Sequence, residues 1–442
     1  MKLRSSFVCQ QCEYTSPQWY GKCPNCGAWN SLIETVKEEP VKSVFSRGSL
    51  ENTVAKPQKL SDVKHIEKNR LKSGYGEFDR VAGGWIVPGS VILLAGDPGI
   101  GKSTLLLHVL ARTGGLYVSG EESAEQVKLR AKRLGIEGDN ISILADTNVE
   151  GIVHVLSSND ESGIMNHGKE KLVIVDSIQT LSSSDLEGMA GSVGQIRHSA
   201  ELLIAAAKSQ GVPMIIIGHV SKEGAIAGPK VLEHMVDAVL YLEGERFASA
   251  RILRTLKNRF GAVEEVGIFE MGEKGLTEVT NPSALFLQDR VTNVPGSVVT
   301  VIMEGTRPML VEIQALVVPT QLAIPRRVGS GVDYNRLQLL VAILQKRLNI
   351  PLGTFDIFVN VSGGIKIGEP SADLAVALAI LSSFKNKPVN AKTAAFGELG
   401  LLGEVRSIAG EDRRIKEARR LGFTTVMSPK TTRNIKQVSA SV

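Results

Sequence analysis

From about Leu71 the chain alternates short apolar runs with longer stretches of helical period. Residues 91–95 read as a buried strand, and 102–112 as a helix stopped by Gly114-Gly115. Residues 116–119 form a second strand. Ser123, with Gln126 three positions on, makes a capping box that opens a helix ending at Gly135. Residues 141–144, 172–175 and 214–217 are further strands. These runs are apolar throughout rather than alternating, the pattern of parallel strands covered on both faces by helices. After Asp237 the strand runs crowd together at 238–242, 251–256 and 263–269, which predicts antiparallel additions at the sheet edge.

A different pattern begins near Asn281-Pro282. Strand-like residues 298–303 and 311–318 precede a helix at 334–348 and a strand at 355–361. Helices at 371–382 and 413–421 follow, so this region reads as α+β. Upstream, residues 34–60 are poor in large apolar groups and rich in Lys, Glu, Ser and Pro, the composition of a linker. The predicted organisation is a cysteine knuckle at 1–33, a linker at 34–60, a mostly parallel α/β domain at 61–280 and an α+β domain at 281–442.

Composition narrows the class. The chain has 442 residues, enough for two or three domains with cores of their own. With 43% hydrophobic and 22% charged residues it has the balance of a soluble globular protein, not of a disordered or fibrous one. Apolar runs stop well short of a membrane-crossing length, and no apolar segment follows Lys2 and Arg4 as in a secretory signal. The expected location is the cytoplasm. There, the four cysteines favour metal binding over disulfides. A net charge of +5 permits a polyanionic partner without demanding one.

The chemistry starts after the first strand of the α/β region. Gly96-Asp97-Pro98-Gly99-Ile100-Gly101-Lys102-Ser103 matches G-x-x-x-x-G-K-[ST], between a strand and a helix. Glycines let backbone N–H groups turn inward onto phosphate oxygens, and the helix N-terminus adds positive potential. Lys102 is expected at the β- and γ-phosphates of ATP, and the Ser103 hydroxyl on Mg²⁺, with Thr104 completing the binding segment. Leu172-Val173-Ile174-Val175-Asp176 is an apolar strand ending in a carboxylate, which places Asp176 as a second Mg²⁺ group. Glu121 and Glu122 closely follow the strand at 116–119. Either orients and deprotonates an attacking water, or both are an acidic first helical turn; Glu121 is nearer the strand end. His219, at the end of the 214–218 run, is either a γ-phosphate sensor or a structural histidine.

Cys9-x-x-Cys12 and Cys23-x-x-Cys26 are two paired-cysteine turns, ten residues apart, beside Gly21 and Gly27. Together they predict a structural Zn²⁺ with four thiolate ligands and no open coordination position.

Taken together, the cysteine knuckle, the P-loop, Val118-Ser119-Gly120-Glu121-Glu122-Ser123, Gly218-His219-Val220-Ser221-Lys222-Glu223-Gly224 and Lys257-Asn258-Arg259-Phe260-Gly261 resemble the bacterial RadA (Sms) family over nearly the whole chain. The resemblance implies a RecA-like ATPase core assembled as a hexameric ring. It implies a helicase-like, DNA-dependent motor that acts with RecA in recombinational repair, promoting branch migration on single-stranded and branched DNA. It puts the catalytic carboxylate at Glu121, and it places Lys257 and Arg259 where they reach a neighbour's nucleotide or the DNA. Read from the residues alone, Lys257 and Arg259 are two cations at a strand end, and a solvated face is the other open reading.

The C-terminal region resembles the proteolytic domain of Lon in Gly368-Glu369-Pro370-Ser371-Ala372-Asp373 and Gly397-Glu398-Leu399-Gly400-Leu401-Leu402-Gly403-Glu404-Val405. Ser371 falls at the nucleophile of the Ser-Lys dyad. The lysine, expected about fifteen residues after Gly397, is Asp412 instead, with Lys416 one helical turn on. An ATP-dependent Lon-like peptidase is therefore the alternative function. The simpler role for Ser371 is to cap a helix beginning at Ala372. The domain also carries many cations, among them Lys346-Arg347, Lys385, Lys387, Arg413-Arg414, Lys416 and Arg419-Arg420. The DNA-binding candidates are Lys222, Lys230, Arg326, Arg327 and Arg336.

Overall fold

The computed structural model describes residues 5–9, 15–16, 18–29, 31–36, 59, 70–158, 172–219, 228–244 and 249–439. The chain divides into two compact units. The first is Met1–Glu243 with Leu253–Val263 and Gly272–Leu276; the second is Gly244–Ile252 with Glu264–Met271 and Thr277–Val442.

The first unit opens with a small antiparallel sheet of β1 (Ser5–Cys9), β2 (Thr15–Ser16) and β3 (Leu32–Val36), with β1 in the middle. Cys23 and Leu32 are its buried apolar groups, with Phe7 packed on them. After α1 (Gly76–Val81) comes the main sheet. Its strands are β4 (Val91–Gly96), β5 (Gly115–Ser119), β6 (Ile141–Ala145), β7 (Leu172–Asp176), β8 (Met214–His219) and β9 (Ala238–Glu243). They lie in the order β9-β4-β8-β7-β5-β6, and every adjacent pair is parallel. β4, β5 and β7 are buried along their whole length, as unbroken apolar runs require.

Helices α2 (Lys102–Thr113), α3 (Ala124–Arg133), α4 (Val149–Ser157), α5 (Val193–Gln210) and α6 (Gly228–Glu233) connect these strands. The capping box at Ser123 and Gln126 is formed, with both reciprocal bonds present. The hydrophobic pattern did not single out α5. Its buried face is Gln195, Ile196, Ser199, Ala200, Leu203, Ala206 and Ala207. Small and polar groups dominate that stripe, so it carries a weak apolar signal. Strands β10 (Ala250–Asn258), β11 (Val266–Gly272) and β12 (Gly275–Glu278) continue the hydrogen-bonded order beyond β9. The strand expected from residue 263 begins only at Val266; Val263 is exposed, in the turn that follows β10.

The second unit is α+β. After α7 (Pro282–Leu287) its strands are β13 (Ser297–Glu304), β14 (Arg307–Pro319), β15 (Arg327–Ser330), β16 (Phe355–Val361), β17 (Thr393–Ala395), β18 (Glu398–Leu399), β19 (Val405–Arg406) and β20 (Thr425–Met427). Six of them form one sheet, ordered β15-β16-β14-β13-β17-β20. The helices are α8 (Tyr334–Leu348), α9 (Asp373–Lys385), α10 (Glu411–Arg420) and α11 (Ile435–Ser439). α9 is buried from Asp373 through Ser382 and forms the centre of the core with β13, β14 and α8.

The helix expected from residue 371 starts instead at Asp373, after a 3-10 turn over Pro370–Ala372. Its N-cap is Ala372, with no side-chain cap bond, so Ser371 does not have the capping role expected of it. The helix expected over 413–421 starts two residues earlier, at Glu411, from a left-handed Gly410.

Candidate functional site

Parallel register builds the site. Gly96, the last residue of β4, pairs with His219 on one side and Leu242 on the other, and Ser119 pairs with Asp176. The carboxyl ends of these strands therefore lie side by side, where open parallel sheets bind ligands. The loop after β4 turns on Gly99 (φ 78°) and Gly101 (φ 114°), backbone conformations that a side chain disfavours. α2 begins at Lys102, immediately after.

The Lys102 side chain is buried. Its Nζ donates to the Gly96 carbonyl at 2.8 Å and the Asp97 carbonyl at 2.9 Å. Burial lowers its pKa to about 8, against the opposing pull of Asp176, Asp97 and Glu121. A neutral amine holds phosphate far less well than an ammonium. The free protein's apparent Kd for ATP is therefore expected to rise above pH 8, by up to about tenfold per unit. Equilibrium binding of a fluorescent ATP analogue from pH 7 to pH 9.5 measures this; a flat profile contradicts it.

Three groups face the mouth of this loop. Asp176 is buried, and its Oδ2 accepts from the Tyr117 hydroxyl. Glu121 Oε1 accepts from Ser177 Oγ at 2.7 Å and lies 3.6 Å from His219 Nε2. Burial and Lys102 lower the pKa of His219, while Glu121 and Asp176 pull the other way. The imidazole is thus neutral near pH 7. Gln179 Nε2 donates to the His219 carbonyl at 3.3 Å. The buried Gln179 Oε1 and His219 Nδ1 lack hydrogen-bond partners. Such orphaned polar atoms beside a phosphate cradle suit a polar ligand that supplies the missing bonds.

Glu122 points elsewhere, to Arg130, whose Nη2 lies 3.0 Å from its Oε2. The geometry thus separates the two adjacent carboxylates, and Glu121, the one preferred from its place nearer the strand end, is the one beside Ser177 and His219. The hydroxyl and carboxylate oxygens of Ser103 and Asp176 are hard donors, the type that Mg²⁺ takes. Sequence reading missed Tyr117, Arg130, Ser177 and Gln179. A phenol in the otherwise apolar Leu116-Tyr117-Val118 run was the available signal for Tyr117.

Lys257 and Arg259 lie at the opposite end of the strands. Lys257 Nζ donates to the carbonyls of Glu233 (2.7 Å), His234 (3.3 Å) and Val236 (2.9 Å). Arg259 Nη1 is 3.2 Å from Asp237 Oδ1, and Asp237 Oδ2 accepts from the N–H of Val91, where β4 begins. β4 is six residues long, so roughly 20 Å of strand separates this cluster from its own P-loop. Within one protomer neither cation reaches the nucleotide. The rest of the motif is structural. Asn258 Oδ1 accepts from the Phe260 N–H at 2.8 Å, and a Cβ on Gly261 would stand 2.7 Å from the Gly83 Cα.

In the N-terminal sheet, Cys23 and Cys26 flank a tight knuckle. Gly27 N–H bonds to the Cys23 carbonyl and Cys23 N–H to the Ala28 carbonyl. Cys23 is buried and Cys26 exposed. The knuckle presents two thiols at metal-ligand spacing, as a tetrahedral Zn²⁺ site needs. Cys9 ends β1. Its side chain and the whole of Cys12 lie outside the described residues, as do Lys222 and the side chain of Lys230.

In the second unit, Asp412 is not beside Ser371; it is exposed and paired with Lys430. Arg414 is beside Ser371. Its Nη1 donates to Ser371 Oγ at 3.0 Å, and it also holds Glu369. A guanidinium cannot accept the serine's proton, so Arg414 does not stand in for the lysine of a Ser-Lys dyad. Lys416 is exposed. Of the DNA candidates, Arg326 is exposed. Arg327 donates to the Arg326, Leu352 and Phe355 carbonyls, and Arg336 is bound to Asp373.

Fold and site define a RecA-like P-loop ATPase carrying a zinc ribbon. Residues 71–281 match the family model of the KaiC ATPase, 7–34 that of the rubredoxin metal-binding domain, and 331–432 that of subunit ChlI of Mg-chelatase. The chain belongs to the RadA family of DNA repair proteins. It is 48% identical to DNA repair protein RadA of Bacillus subtilis (strain 168) over 97% of this chain and 93% of that one. It is 49% identical to RadA of Streptococcus pyogenes serotype M1, with the same coverage of both. ATP, Mg²⁺ and Zn²⁺ are accordingly its cofactors. Weaker likenesses to solved structures include the RadB recombinase (21% identity, TM-score 0.38, 47% of this chain and 99% of that one). Another is the ATPase domain of G40P (16% identity, TM-score 0.42, 48% and 93%). Among the described residues, no helix is long and apolar enough to cross a membrane.

Proposed function

We propose that this chain is a DNA-dependent, helicase-like ATPase that moves on single-stranded and branched DNA in the cytoplasm. Together with RecA it promotes branch migration during recombinational repair. The observation that carries the catalytic part is the convergence of Lys102, Asp176, Glu121 and His219 at the carboxyl ends of adjacent parallel strands. In this reading the P-loop residues from Gly96 through Thr104 bind ATP. Lys102 neutralises the β- and γ-phosphates, and Ser103 and Asp176 would hold Mg²⁺, which would supply charge neutralisation at the phosphate oxygens. Glu121 takes the proton of the attacking water. His219 senses the γ-phosphate through the contact with Glu121.

The distance of Lys257 and Arg259 from their own P-loop supports a hexameric ring, in which the cluster of one subunit faces the next subunit's nucleotide. DNA affinity comes from phosphate neutralisation, with Lys222, Lys230 and Arg326 as the foremost contacts. Arg327 and Arg336 act by shaping the domain that presents them, because their guanidinium groups are occupied.

The test is ATPase rate without DNA, with single-stranded DNA and with branched DNA, on a preparation of measured ring size. DNA is expected to stimulate turnover. Binding is expected to weaken by about a thousandfold or more between 50 and 200 mM salt, as six or more phosphate contacts require. Turnover indifferent to DNA, or salt-insensitive binding, contradicts the reading.

A further inference from the structure

We propose that Tyr117 and Arg130 are positioning residues for the carboxylate of Asp176, acting through a chain of alternating charged and neutral partners. Tyr117 lies in the middle of β5 and is fully buried. Its hydroxyl donates to Asp176 Oδ2 and accepts from Arg130 Nη2 at 2.8 Å. Arg130, near the end of α3, also lies 3.0 Å from Glu122 Oε2 and 4.0 Å from Asp176 Oδ2. The order is carboxylate, phenol, guanidinium, carboxylate.

Each member has a physical role. The phenol is a neutral donor, so it fixes the orientation of Asp176 without cancelling its charge. With Oδ2 committed to Tyr117, Oδ1 is the oxygen left to face a metal. Arg130 Nη2 stands 4.0 Å from Asp176 Oδ2, at the outer limit of an ion pair. Two things keep that pair from closing: the hydroxyl between them, and Glu122, which neutralises the guanidinium. Without the hydroxyl, Asp176 turns toward Arg130, and that ion pair competes with Mg²⁺ for the same carboxylate.

This inference rests on Asp176 as a Mg²⁺ group. It is tested on the full chain by titrating Mg²⁺ against the affinity for a fluorescent ATP analogue, with an EDTA control. Tyr117→Phe keeps the buried ring and is expected to raise the Mg²⁺ midpoint about tenfold, the usual effect of losing a partner of a metal ligand. Affinity in EDTA is expected to stay at the wild-type value. Adding Arg130→Gln to Tyr117→Phe removes the competing cation and is expected to bring the midpoint back toward wild type. Glu122→Gln, a change of charge at a half-buried position that leaves Tyr117 in place, is expected to shift the midpoint upward too, because it frees the Arg130 charge. If wild-type affinity does not respond to Mg²⁺, the Asp176 assignment itself fails. If wild type responds and Tyr117→Phe and Glu122→Gln both match it, the positioning chain is overturned. Equal losses with and without Mg²⁺ also overturn it, since they indicate support of the fold alone.

Discussion

Lys102→Ala is expected to abolish ATP hydrolysis, lowering kcat by at least about a thousandfold. The reason is geometric and electrostatic. Lys102 is the cation that the loop folds around, with its ammonium held between the Gly96 and Asp97 carbonyls at the mouth of the site. Alanine removes the charge that offsets negative charge on the transferring phosphate, and nothing nearby replaces it. Arginine is no substitute, because a planar fork does not fit a site in which the lysine side chain is already buried. The fold is expected to survive, since alanine is favourable in the first turn of α2. Steady-state turnover with and without DNA measures the effect, and thermal unfolding checks the fold. Retained turnover in a folded variant would sink the assignment of the P-loop as the hydrolytic site.

The second large effect is expected far from the nucleotide, at Glu369. Arg414 is almost completely buried, and it bonds Glu369, Ser371 and the Ala409 carbonyl. Glu369 Oε1 also accepts from the Met303 N–H at 2.8 Å. Glu369→Ala leaves the guanidinium without its counter-charge and the Met303 donor without a partner. Breaking a buried pair from one side costs about 3–5 kcal/mol, and partial exposure of Glu369 puts this case at the low end. Chemical denaturation of the second unit reads it out. Adding Arg414→Met is expected to recover much of the loss, because an apolar side chain there carries no unpaired charge. Burial raises the pKa of Glu369, but bonds from Arg414, Met303 and Ser371 outweigh it and hold the group below its ordinary value. A depressed folded pKa contributes stability above the unfolded value. That stability is lost as the pH falls through the folded one. Glu369→Ala is therefore expected to flatten the acid limb of the stability curve.

Arg414 also illustrates where sequence reading stopped. A missing lysine at Asp412 was enough to doubt a Ser-Lys dyad, but the reason lay two residues away. Ser371 and Arg414 are 43 positions apart, and no local pattern marks their contact. The helix-cap role for Ser371 failed because a 3-10 turn intervenes before α9. Helix α5 gives a weak hydrophobic signal because its buried stripe is mostly alanine, serine and glutamine, with Ile196 and Leu203 as its large apolar groups.

The parallel strands, the P-loop and the carboxylate after Leu172-Val173-Ile174-Val175 were all legible in the residue order. Each depends on near neighbours: an apolar run, glycines within one turn, a charge at a strand end. Register then did what no local pattern could. It set Gly96 beside His219 and Ser119 beside Asp176, and so gathered groups from four strands. It turned Glu121 toward Ser177 and His219, and Glu122 toward Arg130, although the two carboxylates are adjacent in the chain. It placed Lys257 and Arg259 a full strand length from their own nucleotide loop. The phenol on Asp176 comes from 59 positions away. Short-range chemistry is written in the sequence because it needs only neighbours along the chain. Orientation and pairing of charges were decided by packing, because the partners meet only once the sheet has formed.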